Sequence, residues 1–330
     1  MQSAQRASQG AWQPPPDRVA QDRRGLWIAS MLELLGLVLF VGLFNFLLPD
    51  LGQGLDGLPL ILLGLAMSLV PAALWMLFFH RLDRLEPEPK GKIAHIFLLG
   101  ALVTGAIVQP LLQSLFDVDA WLYASWATEL FGGILVVGVL HALTVYLVVR
   151  YGIYTDPEFD ERVDGVIYAT AAGLGLATVL NFEYVVAHGG VDLDVGSIRM
   201  VINALAYASF AGLLGYFLGQ TRFESTPPAY LPAGFGLSAA FIGLFFFLED
   251  RVTSAGFQVN SWAGLILALV VAGITLSLIF WLVQRANEET LRLAQAGPAL
   301  TPAPVEPASP PGSPAGSSPE PSHESQEVEP

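Results

Sequence analysis

"FDERVDGVIYATAAGLGLATVLNFEYV" (159–185) is the stretch on which the fold turns. It holds an apolar run of the roughly 20 residues a membrane-crossing helix needs. Small residues recur along it at four-residue spacing, Ala169, Gly173 and Ala177, with Ala171 and Gly175 on a neighbouring row. A second set follows in the next apolar run: Ala204, Ala208 and Gly212, then Ala211, Gly215 and Gly219. Such spacing lets two helix backbones approach closely, and van der Waals packing replaces the hydrophobic drive that lipid cannot supply. The pattern predicts two tightly packed membrane helices. Within the same run stand Asn181 and Glu183, and an ionised carboxylate at membrane depth costs about 3 kcal/mol unless it is paired or near the interface. Glu183 therefore does chemistry or has a structural partner.

Composition agrees with a bilayer as solvent. Of 330 residues, 53% are hydrophobic and 13% charged, with mean hydropathy +0.55, where soluble domains carry about 25% charged residues. The net charge of −14 owes much to the C-terminal stretch, which holds Glu288, Glu289, Glu306, Glu320, Glu324, Glu327 and Glu329. It implies no acidic binding face, and no nucleic-acid partner is expected. With no cysteine, disulfide scaffolds, thiolate zinc sites and cysteine nucleophiles are excluded.

The polar N-terminus, with Pro14–Pro15–Pro16 and Arg23–Arg24, is unlike a cleavable signal peptide. Residues 1–25 are expected to be a disordered cytoplasmic segment. The Pro-, Ser- and Glu-rich end, "TPAPVEPASPPGSPAGSSPEPSHESQEVEP" (301–330), has too little apolar surface to order itself. Residues 287–330 are read as a disordered cytoplasmic tail, or as a Pro-rich ligand for a partner.

Read by length and hydropathy, the chain is all-α, a polytopic membrane helix bundle. Its eight spans lie at about 27–48, 58–79, 94–116, 130–149, 164–187, 198–218, 231–248 and 262–284. Thirteen of the basic residues, among them Arg23, Arg84, Lys92, Arg150, Arg222 and Arg285, fall on one side of these spans; only Arg199 and Arg251 fall on the other. The positive-inside rule then puts both termini in the cytoplasm, which an even number of spans permits.

Few polar residues within the spans could carry chemistry: Glu33, His95, Gln109, Gln113, Glu129, His141, Asn181, Glu183, Asn203 and Tyr207. No His-Glu-x-x-His or Gly-x-Ser-x-Gly element occurs. Glu129 and His141, twelve residues apart on one helix, lie about 18 Å apart along an α-helical axis and do not share an ion. Glu33 reads as a packing residue or a neutral acid, His141 as a neutral core histidine with a hydrogen bond. Glu129 and Glu183 both fall at outward helix ends. Arg199, one short loop beyond Glu183, is its expected ion-pair partner.

Three stretches together resemble the PrsW family of intramembrane proteases. "FHRLDRLEPEPKGKIAHIFLLGALVTG" (79–105) resembles its Asp-x-x-Glu-Pro-Glu-Pro segment, residues 159–185 its Asp-Gly…Gly-Leu-Gly-Phe-Ala-x-x-Glu-Asn helix, and "GLLGYFLGQ" (212–220) the end of its histidine-bearing helix. The resemblance implies a glutamic or metal-dependent protease working inside the bilayer. It implies a Glu-Glu element followed by a lysine, a second glutamate before an asparagine, and two histidines. Such groups deprotonate a water or hold it on a metal where bulk solvent is scarce.

At the reactive positions this chain departs from that pattern. In "WATELFGG" (126–133) Thr128 stands for the first glutamate, Glu129 remains, and Gly132 replaces the lysine. Leu180 replaces the glutamate before Asn181, and Tyr207 aligns with one histidine. The other histidine falls near Ala240 to Ile242 in "LSAAFIGLFFFL" (237–248), which has no titratable group. The leading expectation is therefore a PrsW-like plasma-membrane protein that has lost proteolysis. It would bind or regulate transmembrane segments of other proteins, with the lipid bilayer around it. Two alternatives stay open: an active protease using Glu129 and Glu183, with His188 as a third member and zinc as cofactor, or a transporter or channel.

Overall fold

A computed structural model describes residues 32, 35–82, 88–254 and 260–296. Glu33, most of the N-terminal segment and the tail beyond residue 296 lie outside the described residues. The chain falls into two units, Met1–Arg285 and Ala286–Pro330. In the second, helix continues to Ala296, inside the stretch read as a disordered tail. "NEETLRLAQA" (287–296) is rich in good helix formers, and the first breakers are Gly297 and Pro298.

The first unit is a bundle of helices, with no strand among the described residues. The long ones, in chain order, are α1 (Leu35–Leu47), α2 (Gly57–Leu82), α3 (Lys90–Leu115), α4 (Thr128–Gly152), α5 (Arg162–Ala187), α6 (Leu193–Phe223), α7 (Tyr230–Ser254) and α8, whose span is Ser261–Ile279; a short helical segment, 118–124, joins α3 to α4. Seven of them are long and apolar enough to cross a membrane; α1 is shorter over its described part. The eight expected spans map onto these eight helices in order. The outer surface is apolar: Leu135, Val38, Leu102 and Ile266 are each more than 60% exposed. A water-soluble protein avoids large contiguous apolar patches, whereas lipid accepts them.

At the centre stand α5 and α6, whose span windows are 83% and 94% buried, against 28–44% for the other spans. A capping box fixes where α5 begins. Glu161 donates its N–H to Asp164 Oδ2 at 2.6 Å, and the Glu161 side chain accepts from the third helical N–H. One residue on, Gly165 faces Gly215 of α6 so closely that a methyl group there would lie 2.3 Å from the Gly215 carbonyl oxygen. The reciprocal methyl at Gly215 would lie 2.1 Å from the Gly165 oxygen. Only hydrogen fits on either side, and the four-residue ladder continues through Gly173 against Ala211 and Gly219 against Arg162. On its other faces α5 packs against α3 and α2.

Glu88, two residues before α3, is tied to this pair at the same end. Tyr168 donates its hydroxyl to Glu88, which is buried beside Asp164. Nearby Lys92 pairs with Asp156, and Arg162 with Glu224 at 2.7 Å. The Tyr168–Glu88 bond holds the first and second family-like stretches together, while the two ion pairs tie α3 to the α4–α5 loop and α5 to the end of α6.

Candidate functional site

At the opposite end the helices splay. The last turns of α3, α5 and α7 and the first turns of α4 and α6 surround a cavity of about 650 Å³. Pro110, which has no N–H to give the preceding turn, interrupts α3 between two π-helical turns, Thr104–Val108 and Leu111–Leu115. The start of α4 is π-helical over Thr128–Gly138. Wide turns of this kind re-aim side chains and are frequent at functional sites. Here they bring Gln109, Leu112, Glu129, Gly133 and Val137 to the cavity wall.

The sequence-derived residues do not all meet. Glu129, Leu180, Glu183 and Tyr207 line the cavity, as does Ile242. Thr128 does not. Its hydroxyl donates to the Ser125 carbonyl at 2.8 Å and accepts the Ser125 N–H at 2.9 Å, closing the turn that starts α4. Gly132 is buried against the Trp121 ring, which a methyl group there would strike at 2.3 Å. Asn181, 1% exposed, accepts from Asn203 Nδ2 at 2.7 Å and donates to the Met200 carbonyl at 3.3 Å. It clamps α5 to α6.

Both carboxylates have partners. Glu129, 8% exposed, is ion-paired with Arg251 from the end of α7. Glu183 accepts a hydrogen bond from Gln109 of α3. That corrects the expected Glu183–Arg199 pair: the Arg199 guanidinium lies over the Tyr184 ring, 5.1 Å from its centroid. Neighbouring residues on a helix point about 100° apart, so the face carrying Tyr184 meets α6 while Glu183 turns to α3. His188, exposed, stacks on Tyr184 with centroids 4.0 Å apart and is not part of the cavity wall.

Deeper in, Tyr207 and His141 meet: the hydroxyl lies 2.7 Å from Nδ1, with both side chains 3% exposed. The expected hydrogen-bonded core histidine is thus present, and its partner is the tyrosine aligned with a family histidine. Nε2 of His141 has no hydrogen-bond partner. Sequence reasoning missed two partnerships. Arg251 and Glu129 had both been placed at the outward face, the signal that could have joined them. Nothing local pointed Gln109 at Glu183.

Fold and apolar surface together define a polytopic helical membrane protein. The sequence pattern of the PrsW family intramembrane metalloproteases matches residues 88–279, and the chain belongs to that family. It is 27% identical over 159 residues to the protease PrsW of Geobacillus kaustophilus, covering 48% of this chain and 67% of that protein. Against the Clostridioides difficile protease PrsW it is 27% identical over 162 residues, covering 48% and 66%. The Bacillus subtilis protein of that name is 23% identical over 163 residues, covering 49% and 70%. No solved structure matches the chain significantly.

A family described as metalloproteases implies a metal, and the donors here do not fit one. A hydrolytic zinc takes three protein ligands with bonds near 2 Å. Among the described residues no group of three or more His, Asp or Glu side chains stands close enough to hold an ion. In the cavity wall, Nδ1 of His141 is engaged by Tyr207, one oxygen of Glu129 is engaged by Arg251, and Leu180 and Ile242 offer no donor atom.

Proposed function

We propose that this protein is a non-cleaving member of the PrsW family that binds membrane segments in its cavity. It would do so in the plasma membrane with both termini in the cytoplasm, without nucleic acid. The observation that carries this reading is the state of Glu129. This carboxylate, left over from the family's Glu-Glu element, is locked to Arg251. A guanidinium on a carboxylate stabilises its charged form and competes for the lone pairs a water would need. Proton transfer to a reacting water also needs a general base within about 3 Å, and at the positions aligned with the family's second glutamate and two histidines the wall carries Leu180, Tyr207 and Ile242.

The cavity itself supports a binding role. Its 650 Å³ lies within the 300–1,000 Å³ range of ligand sites, and its walls combine apolar side chains with a few polar groups. The test is a cleavage assay on the full chain in lipid nanodiscs with a panel of single-span substrates. Intact substrates that nonetheless co-purify with the protein are expected. Cleavage that disappears in Glu129→Gln or Glu183→Gln would overturn the reading.

A further inference from the structure

Five carboxylates line the cavity: Asp119, Glu129, Glu183, Glu249 and Asp250. Two guanidiniums oppose them, Arg199 in the wall and Arg251 on Glu129. Some of this acidity is already met, since Glu183 accepts from Gln109 and Glu249 accepts from the Thr253 hydroxyl at 2.9 Å. Glu129 is different. Its Oε2 is held by Arg251, but Oε1 is buried without a hydrogen-bond donor, and the group beside it is another carboxylate, Asp250. A buried acceptor left unmet costs about 1–3 kcal/mol, and two neighbouring carboxyls are relieved either by a proton shared between them or by a donor carrying positive charge, which meets the acceptor and offsets both charges.

The aromatic walls favour the same sign. Tyr123, Tyr184, Phe246 and Phe247 line the cavity, and ring faces attract ammonium and guanidinium groups. Two of these rings already hold the protein's own cations: Arg199 over Tyr184, and Arg251 over Phe247 at 4.9 Å. The unpartnered Nε2 of His141 does not set the ligand's sign, because imidazole nitrogen donates or accepts according to tautomer. Below the carboxylates Val137, Leu180, Ile202 and Ile242 make one apolar stretch of wall, beside the Tyr207–His141 pair and Asn203. A divalent metal is a poor match, because no three ligands converge among the described residues.

We infer that the cavity takes a monovalent organic cation with an apolar body, its ammonium or guanidinium seated on Glu129 Oε1 and Asp250 against the aromatic wall. This deepens the non-cleaving reading by naming what the cavity holds. Two sources share this chemistry: a free amphiphilic amine, and a Lys or Arg side chain flanking a membrane segment.

The full chain in phosphatidylcholine nanodiscs is titrated calorimetrically with phenethylammonium and with its neutral isostere 2-phenylethanol. A single-span peptide with a Lys-rich flank is then compared with its Gln-flanked twin. Both cations are expected to bind at least tenfold more tightly than their neutral counterparts, weakening as salt rises. Glu129→Gln and Asp250→Asn should each loosen binding about tenfold, whereas Arg251→Gln, which frees a carboxylate oxygen and the Phe247 face, should tighten it. The opposite signs guard against a variant that merely folds badly. Phenethylammonium binding alone assigns a free amine; discrimination between the peptides assigns the flank of a membrane segment; either supports the inference. Equal affinity for charged and neutral probes, or binding of neither, would overturn it. Cleavage of the peptide would instead sink the non-cleaving reading and leave the cation preference standing.

Discussion

The two ends of the α5–α6 pair teach different lessons. At one end Gly165, Gly215 and Gly219 bring the backbones into contact, while Asp164, Tyr168 and Glu88 tie in the neighbouring loop. Each family-like residue there has a steric or hydrogen-bonding task that does not depend on catalysis. At the other end the same helices part around the cavity, and the positions where the resemblance implies acids and imidazoles carry Leu180 and Tyr207. Packing constrains the seam whatever the protein does; the cavity is free to change with its task.

The sharpest way to break that contrast is to add bulk at the seam. Gly215→Leu is expected to destabilise the bundle by upwards of about 3 kcal/mol, because the obstacle is backbone, which no rotamer change removes. Gly236→Leu, at an exposed position with nothing within 4 Å of an added methyl, should be nearly neutral. Thermal unfolding in detergent reads both. A smaller effect is expected at the cavity. Arg251→Ala leaves the Glu129 carboxylate buried without its ion pair, and about 2 kcal/mol of destabilisation is expected, below the full value for a buried pair since the Arg251 side chain is 47% exposed. Adding Glu129→Gln should recover most of that loss in a double-mutant cycle.

Smaller again is the Tyr207–His141 hydrogen bond. Tyr207→Phe should cost about 0.6 kcal/mol, the average measured for interhelical hydrogen bonds in a membrane. The smallest effect lies at the seam's polar rim. Asp156 is held below the usual carboxylate range, first by the hydrogen bond from Lys92, then by the Glu158 N–H and the nearby positive charges of Lys92 and Arg222. A carboxyl with a depressed folded pKa contributes stability above its unfolded value near 3.9 and loses it as pH falls through the folded one. Lys92→Met should therefore flatten the stability profile only on that acid limb, read as unfolding temperature against pH.

Much of the fold was legible because its causes are local. Apolar run length set the spans, and four-residue spacing of small side chains on 169–177 and 204–219 foretold the seam. That Glu129 and Glu183 stand at the same end of the bundle followed from helix direction. The Glu129–Arg251 pair is only half legible: both residues fall at one face of the bundle, but they lie 122 residues apart and nothing local in either segment selects the other. Arg199 was assigned to Glu183 by proximity in sequence, but which face of α5 meets α6 is set by the seam at the far end. The π-helical turns, which decide what lines the cavity, arise from Pro110 and from packing of Gly133 and Gly138 against α7, and apolar periodicity carries no trace of them.

The central claim is that a hydrolase's bundle is retained here while the groups that would activate water are replaced. Its most direct test is the metal content and substrate cleavage of the purified full chain beside a variant carrying Thr128→Glu, Leu180→Glu, Tyr207→His and Ile242→His together. The account predicts a native protein that leaves single-span substrates intact and retains no stoichiometric zinc after dialysis against the metal, and a variant that gains zinc binding. Stoichiometric zinc in the native chain, with cleavage lost in Glu129→Gln, would contradict it.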